Sequence, residues 1–282
     1  MNYSDITVII TTYKSDKKIE KCINSINKKC KVLVIENSRN NSFKEAVEQK
    51  YPHVKCIIPS DNLGYGGGNN TGLKLTKTKY SLILNPDAIL ENDALDNFII
   101  RIKENIDFAA IGPYGFQEKE IYKRLKDVKR DLVDVDSIKG FAMFLNMEKF
   151  NSIGFFDDNF FLYFEEIDLC RRIKNNSEKI YLDPTIKVFH EGAMSVDDSF
   201  SYQVELTRNW HWMWSTFYFH KKHKNYIFAL INISPKLFSA FFKTIFYTLI
   251  FNVKKRSIYY HRLGGILNSI LGKRSWYRPS LD

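Results

Sequence analysis

The chain reads as an α/β protein built on a doubly wound sheet. Short continuous runs of apolar, β-branched residues recur through the first hundred positions, helical periodicity separates them, and polar residues close each run. A strand buried on both faces needs apolar side chains in both directions, whereas a half-exposed strand would alternate.

The first strand is Ile6–Thr11 (ITVIIT), followed by helical spacing over Ile19–Ile26. Val32–Ile35 repeats the strand pattern and Ser42–Lys50 the helical one; Val54–Ile58 is a third strand. A glycine-rich loop then leads into a helix over Gly72–Lys77, before a fourth strand at Tyr80–Leu84 and a helix over Asp93–Glu104. Such alternation builds βαβ units. No internal repeat or low-complexity linker interrupts it.

The 282 residues suit one large domain with an appendage, and 44% hydrophobic content is enough for a real core. The net charge of +10 is uneven: residues 206–282 hold 13 Lys/Arg and one acid, giving +12, and the first 205 carry −2. We therefore divide the chain into a near-neutral body, 1–205, and a basic helical region, 206–282.

Within that region Tyr226–Asn252 is mostly apolar, broken by Pro235, Lys236 and Lys243. Phe238, Phe241, Phe242, Ile245 and Leu249 recur at helical spacing, and Lys254-Lys255-Arg256 follows. The interruptions argue against a clean spanning helix of about 20 apolar residues. An apolar stripe edged by cations fits a helix lying at the surface of an anionic membrane. Packing on the protein's own core or on a twin subunit is the alternative. Nucleic acid is not expected, because the cations flank apolar helices and form no open aromatic groove.

Cys22, Cys30, Cys56 and Cys170 form no CxxC pair, and reduced thiols are expected. The start, MNYSDITVIITTYKSD, has no signal-peptide core. The expected location is cytoplasmic, peripheral on the inner face of the cell membrane.

Ligands of doubly wound sheets bind beyond the strands' carboxyl ends. Here those ends carry Thr11-Thr12-Tyr13, Glu36-Asn37-Ser38, Asn62 with its glycines, and Asn85-Pro86-Asp87. This polar rim suits a nucleotide. Asp87 could hold Mg²⁺ or Mn²⁺, or else cap the helix that starts near Glu91. The run NLGYGGGNNTG (Asn62–Gly72) fits neither phosphate-loop fingerprint; it is a phosphate approach or a tight turn. His190 in VFHEGAMS is a structural histidine or a ligand beside Asp87.

The segment GFFDDNFFLYFEEIDLC (Gly154–Cys170) sets Glu165, Glu166 and Asp168 behind an aromatic run. Apolar neighbours raise a carboxylate's pKa and suit it to accept a proton. Acids also favour a helix's first turn, and Arg171 and Arg172 lie near i,i+4 spacing, so a helix-end role is open too.

In order, VIITTY, VLVIENS, NLGYGGGNNTG, LILNPDA, GFFDDNFFLYFEEIDLCRRI and VFHEGAMS resemble the family-2 glycosyltransferases of GT-A fold. The likeness is greatest to bacterial rhamnosyltransferase-like enzymes of surface-polysaccharide assembly, and runs from about Thr7 to Arg208. The resemblance implies an inverting transferase using Mg²⁺ or Mn²⁺ and a dTDP- or UDP-sugar donor. It implies an acceptor that is a polyprenyl-diphosphate-linked glycan. Thr11 and Tyr13 would line the nucleotide pocket, Glu36 would contact base or ribose, and Asn62, Gly67 and Asn69 would shape the diphosphate side. Asn85-Pro86-Asp87 occupies the metal-binding aspartate motif with one carboxylate, Asp87. His190 matches the distal metal ligand. Glu166 takes the place of the base, with Asp168 in reserve. The departure at Asn85 keeps a rival open: a catalytically degenerate, membrane-bound assembly subunit.

Overall fold

A computed structural model describes residues 2–16, 18–115, 132–190 and 201–278. Residues 191–195 of the VFHEGAMS motif and most of the 114–136 segment lie outside that range. The chain divides into two units, one of Met1–Phe156 with Glu166–Asp197, the other of Asp157–Glu165 with Asp198–Asp282.

The first unit is a mixed sheet with helices. Four strands, β1 (Ile6–Thr12), β2 (Lys31–Glu36), β3 (Val54–Ile57) and β4 (Tyr80–Leu84), form its parallel half in the order β3-β2-β1-β4. The helices between them are α1 (Ile19–Asn24), α2 (Asn41–Lys50) and α3 (Gly64–Leu75). β1 and β4 are buried almost end to end, as their unbroken apolar runs require.

Beyond β4 the sheet is mixed, antiparallel except where β6 runs parallel to β9. The chain continues through β5 (Ala88–Leu90), helix α4 (Ala94–Lys103), β6 (Ala110–Gly115), β7 (Val133–Asp134) and β8 (Ala142–Asn146). A short helix α5 (Phe150–Ile153), helix α6 (Glu165–Asn175) and the long strand β9 (Ile180–His190) follow. The full order is β3-β2-β1-β4-β8-β6-β9-β5, with β7 also on β9. One pairing positions the site: antiparallel β5 and β9 match Ala88 with His190, bringing Asp87 beside a histidine 103 positions away.

The glycine run differs from the loop we expect from sequence. It is helical from Gly64, and its glycines serve close packing on the sheet. A Cβ on Gly68 would sit 2.4 Å from Thr11 Cγ2, and one on Gly72 would sit 2.5 Å from Ile9 Cγ2. Both distances are overlaps, so α3 can approach β1 this closely only without side chains. Asp87 likewise caps no helix, since it leads into β5 and α4 begins at Ala94.

The second unit is helical: α7 (Ser201–His223), α8 (Tyr226–Leu249) and α9 (Val253–Ile270), around Met213, Phe217, Ala229, Ile233 and Ile266. The 205/206 boundary drawn from charge lies inside α7. Pro235 removes one N–H inside α8; Ser234 Oγ donates to the freed carbonyl of Ile231 at 2.8 Å. His211 is fully buried, with Nε2 2.8 Å from the Tyr277 carbonyl and Nδ1 2.8 Å from Ser275 Oγ. A carbonyl can only accept, so Nε2 carries the proton, and burial lowers this imidazole's pKa to about 3. Among the described residues no helix is long and apolar enough to cross a membrane.

Candidate active site

The carboxyl ends of β1, β2 and β4 carry the polar rim. Thr11 donates to Asn69 Oδ1 at 2.9 Å, tying the end of β1 to α3. Asn37 Nδ2 donates to the Gly64 carbonyl at 3.0 Å, and Asn62 Oδ1 accepts from the Gly64 amide at 3.0 Å. These bonds fix the entry to α3, and Gly67 is buried in its first turn. Tyr13 is half-buried just past β1. Glu36 is fully buried, and one carboxylate oxygen accepts from both the Ser38 amide and hydroxyl. Burial raises its pKa, and the Ser38 bonds oppose that shift.

The end of β4 meets the end of β9. Asp87 is 4% exposed, and both its carboxylate oxygens are buried with no hydrogen-bond partner among the described residues. His190 Nε2 stands 3.4 Å from Asp87 Oδ1 and 3.4 Å from Asn85 Nδ2. The imidazole is stacked on Phe141, with ring centroids 4.6 Å apart. Phe141 O in turn accepts from the Asn85 amide at 2.8 Å, so ring, strand end and carboxylate are held as one group.

A buried carboxylate without donors costs several kcal/mol. A divalent cation removes that cost. Asp87 and His190, 3.4 Å apart, would hold it. The carboxylate suits Mg²⁺ or Mn²⁺, and the imidazole, a weaker ligand for these ions than for zinc, would still bind Mn²⁺. Among the described residues no group of three or more His, Cys, Asp or Glu could hold a metal by itself.

Glu166 lies in the first turn of α6 and lines a cleft of about 460 Å³ with Tyr114, Ile138, Lys139, Phe141 and Ile167. Desolvation raises its pKa; backbone donors and Lys139 pull the other way. Asp168 is placed differently. It is fully buried and accepts from Arg172 Nε at 2.9 Å, while the same guanidinium donates to the carbonyls of Ile153, Gly154 and Phe155. Its negative charge is thus committed to a structural anchor. Glu165 is also buried.

The aromatic run before these acids packs on α7: Phe160 edge-on to Tyr218, Phe161 tilted against His211, and Tyr163 edge-on and Phe164 tilted against Trp212. The side chains sharing the cleft with Glu166 come from β6, the 135–141 segment and β9. Sequence reasoning missed Lys139, Tyr114 and the contact between the Tyr65 hydroxyl and the Gly140 carbonyl. A Cβ on Gly140 would come within 3.5 Å of Glu166 Cβ. The usable signal was Tyr65, a large residue set among glycines.

Residues 7–171 match the family model described as Glycosyl transferase family 2. A low-salt glycan biosynthesis hexosyltransferase of Haloferax volcanii is 24% identical over 227 residues, covering 72% of each chain. An N-acetylglucosaminyl-diphospho-decaprenol L-rhamnosyltransferase of Mycobacterium tuberculosis is 21% identical, covering 67% of this chain and 77% of its own. Among solved structures, a mannosyltransferase from Pyrobaculum calidifontis, in complex with GDP-Man and Mn²⁺, aligns with TM-score 0.61 at 14% identity. That alignment spans 96% of this chain and 88% of the other, and it shows a shared fold. With its family signature over more than half its length and a sheet of the GT-A kind, the chain belongs to glycosyltransferase family 2.

Proposed function

We propose that the protein is an inverting glycosyltransferase. It moves a sugar, rhamnose or a hexose, from a dTDP- or UDP-linked donor to a hydroxyl of a polyprenyl-diphosphate-linked glycan in surface-polysaccharide synthesis. It works at the inner face of the cell membrane. The observation that carries this reading is Asp87, a buried carboxylate whose oxygens have no donor among the described residues and which faces His190 at 3.4 Å. The rhamnosyl and hexosyl relatives support the sugar class, and the decaprenol-linked substrate in one relative's name supports a lipid-linked acceptor.

Asp87 and His190 would hold Mg²⁺ or Mn²⁺, and Asn85 adds a neutral amide where a second carboxylate could stand. When bound, the cation supplies charge neutralisation for the departing nucleoside diphosphate. Thr11, Tyr13 and Glu36 line the nucleotide side, and Asn62, Gly67 and Asn69 form the diphosphate side. Glu166 takes the proton of the acceptor hydroxyl as that oxygen forms its bond to the anomeric carbon. The bond from the anomeric carbon to the phosphate oxygen breaks in the same displacement, its electron pair leaves with the nucleotide, and the configuration inverts. Asp168 holds Arg172 and through it the 153–155 backbone, and so steadies the helix that presents Glu166.

Purified Glu166→Gln protein, assayed with the nucleotide sugar that wild type turns over and a lipid-linked acceptor, should lose about 10²- to 10⁴-fold in kcat. Its affinity for the nucleotide, measured by calorimetry, should be unchanged. Undiminished turnover removes Glu166 from the base position. A wild-type chain binding neither UDP nor dTDP in a metal-dependent way would instead fit the degenerate assembly subunit that Asn85 suggests.

A further inference from the structure

The helical unit carries a surface that the catalytic reading does not use. On α8 the buried face consists of Ala229, Ile233 and Ala240. The opposite face is apolar yet open: Ile231 is 67% exposed, Phe238 59%, Phe242 63% and Leu249 71%. At the turn into α9, Phe251 is 89% exposed and holds a left-handed backbone, φ 54°. A few large apolar residues on a surface are ordinary, but a continuous row along one helix marks an interaction site.

The flank of α8 next to that buried face is basic. Pro235, Lys236, Ser239 and Ala240 form, with Met213 of α7 and Tyr259 and Arg262 of α9, a pocket of about 200 Å³. The pocket opens where proline interrupts the helix. Among the described residues no acidic side chain lines it. Arg262 is oriented by a 2.6 Å bond to Asn209 Oδ1 and lies over the Tyr259 ring. Lys236 is an exposed residue overall, and partial desolvation lowers its ammonium's pKa. Two cations converging on a pocket without an acidic wall form a receptor for an anion.

Charge decides what covers the apolar face. Residues 206–282 carry +12, so a second copy would bring like charge against like, whereas an anionic bilayer supplies both the apolar depth and the opposite charge. We propose that the α8–α9 hairpin docks on an anionic lipid bilayer, its Phe238–Phe242–Leu249 row entering the acyl boundary and its Lys236–Arg262 pocket taking a lipid phosphate. This inference rests on the membrane-face part of the reading above, and it specifies the surface and the headgroup group that is bound. It is independent of donor and acceptor.

The test is flotation of the full chain with phosphatidylcholine vesicles, with or without phosphatidylglycerol. Wild type should float only with the anionic vesicles. The double variant Phe238→Ser/Phe242→Ser, which removes two exposed aromatics and no core contact, should bind at least about 100-fold more weakly. Lys236→Gln should weaken binding more than Lys255→Gln, a surface lysine outside the pocket expected to cost about five-fold. Equal losses for these two lysine variants would overturn the phosphate pocket. Vesicle binding by the Phe238→Ser/Phe242→Ser protein at wild-type strength would overturn the docking surface. So would a wild-type dimer, seen by sedimentation, that this variant abolishes. Displacement from vesicles by millimolar inorganic phosphate, absent with sulfate-free salt of equal ionic strength, would reassign the pocket to a free anion. Wild type binding no anionic vesicle at all would remove the membrane reading itself, leaving the transferase reading untouched.

Discussion

Asp87 and Asp168 are both carboxylates taken almost wholly out of water, and their surroundings are opposites. Asp168 receives an arginine that also ties down three backbone carbonyls. Asp87 receives no donor among the described residues, and an imidazole stands 3.4 Å away. Burial is therefore no mark of function by itself. What separates a site from a scaffold is whether the protein satisfies the buried charge or leaves that to something else.

The contrast is broken most forcefully by Asp168→Ala. That substitution leaves the Arg172 guanidinium without its counter-charge and should cost about 3–5 kcal/mol in urea unfolding. Loss of under about 1 kcal/mol would mean that the pair is not the anchor described, and Asp168 would return as a candidate base.

The parallel half of this fold was legible because continuous apolar runs such as Ile6–Thr11 admit few other structures. The Asp168–Arg172 pairing was legible too, since i,i+4 spacing is a local matter. Asp87 beside His190 was one of two open readings of the residues and was favoured only by the family resemblance, because it depends on strand register between segments 103 positions apart. The glycine run misled for a different reason. Helix propensity counts glycine as a breaker, and only the close approach of Gly68 to Thr11 and of Gly72 to Ile9 explains a helix there. The aromatic run of Gly154–Cys170 likewise suggested a wall around the acids, yet its rings pack against α7. Sequence proximity set the acids and aromatics side by side, and the helix start at Glu165 turned them to different neighbours.

A smaller effect sharpens the roles of Glu166 and Asp168. Burial raises the Glu166 pKa above the ordinary 4.5, so transfer should rise with pH through that raised value as the carboxylate ionises. Stability runs the other way: the contribution of protonated Glu166 is present below 4.5 and lost as pH climbs through the folded value. Glu166→Gln should therefore abolish the acidic limb of the rate profile. It should also raise the urea midpoint at pH above the raised Glu166 value, where wild type carries a buried charge, and leave the midpoint nearly unchanged below 4.5. A rate profile whose acidic limb persists in Glu166→Gln would assign it to another group.

Whether Asp87's unmet charge is a ligand position decides the whole reading of the site. Titration calorimetry of UDP and dTDP, with Mn²⁺ and with chelator, compares wild type with Asp87→Asn most directly. Mn²⁺ should strengthen nucleotide binding by wild type at least about tenfold and leave binding by Asp87→Asn unchanged, with both proteins equally folded. The same Mn²⁺ dependence in both proteins, or none in wild type, would contradict a metal at Asp87.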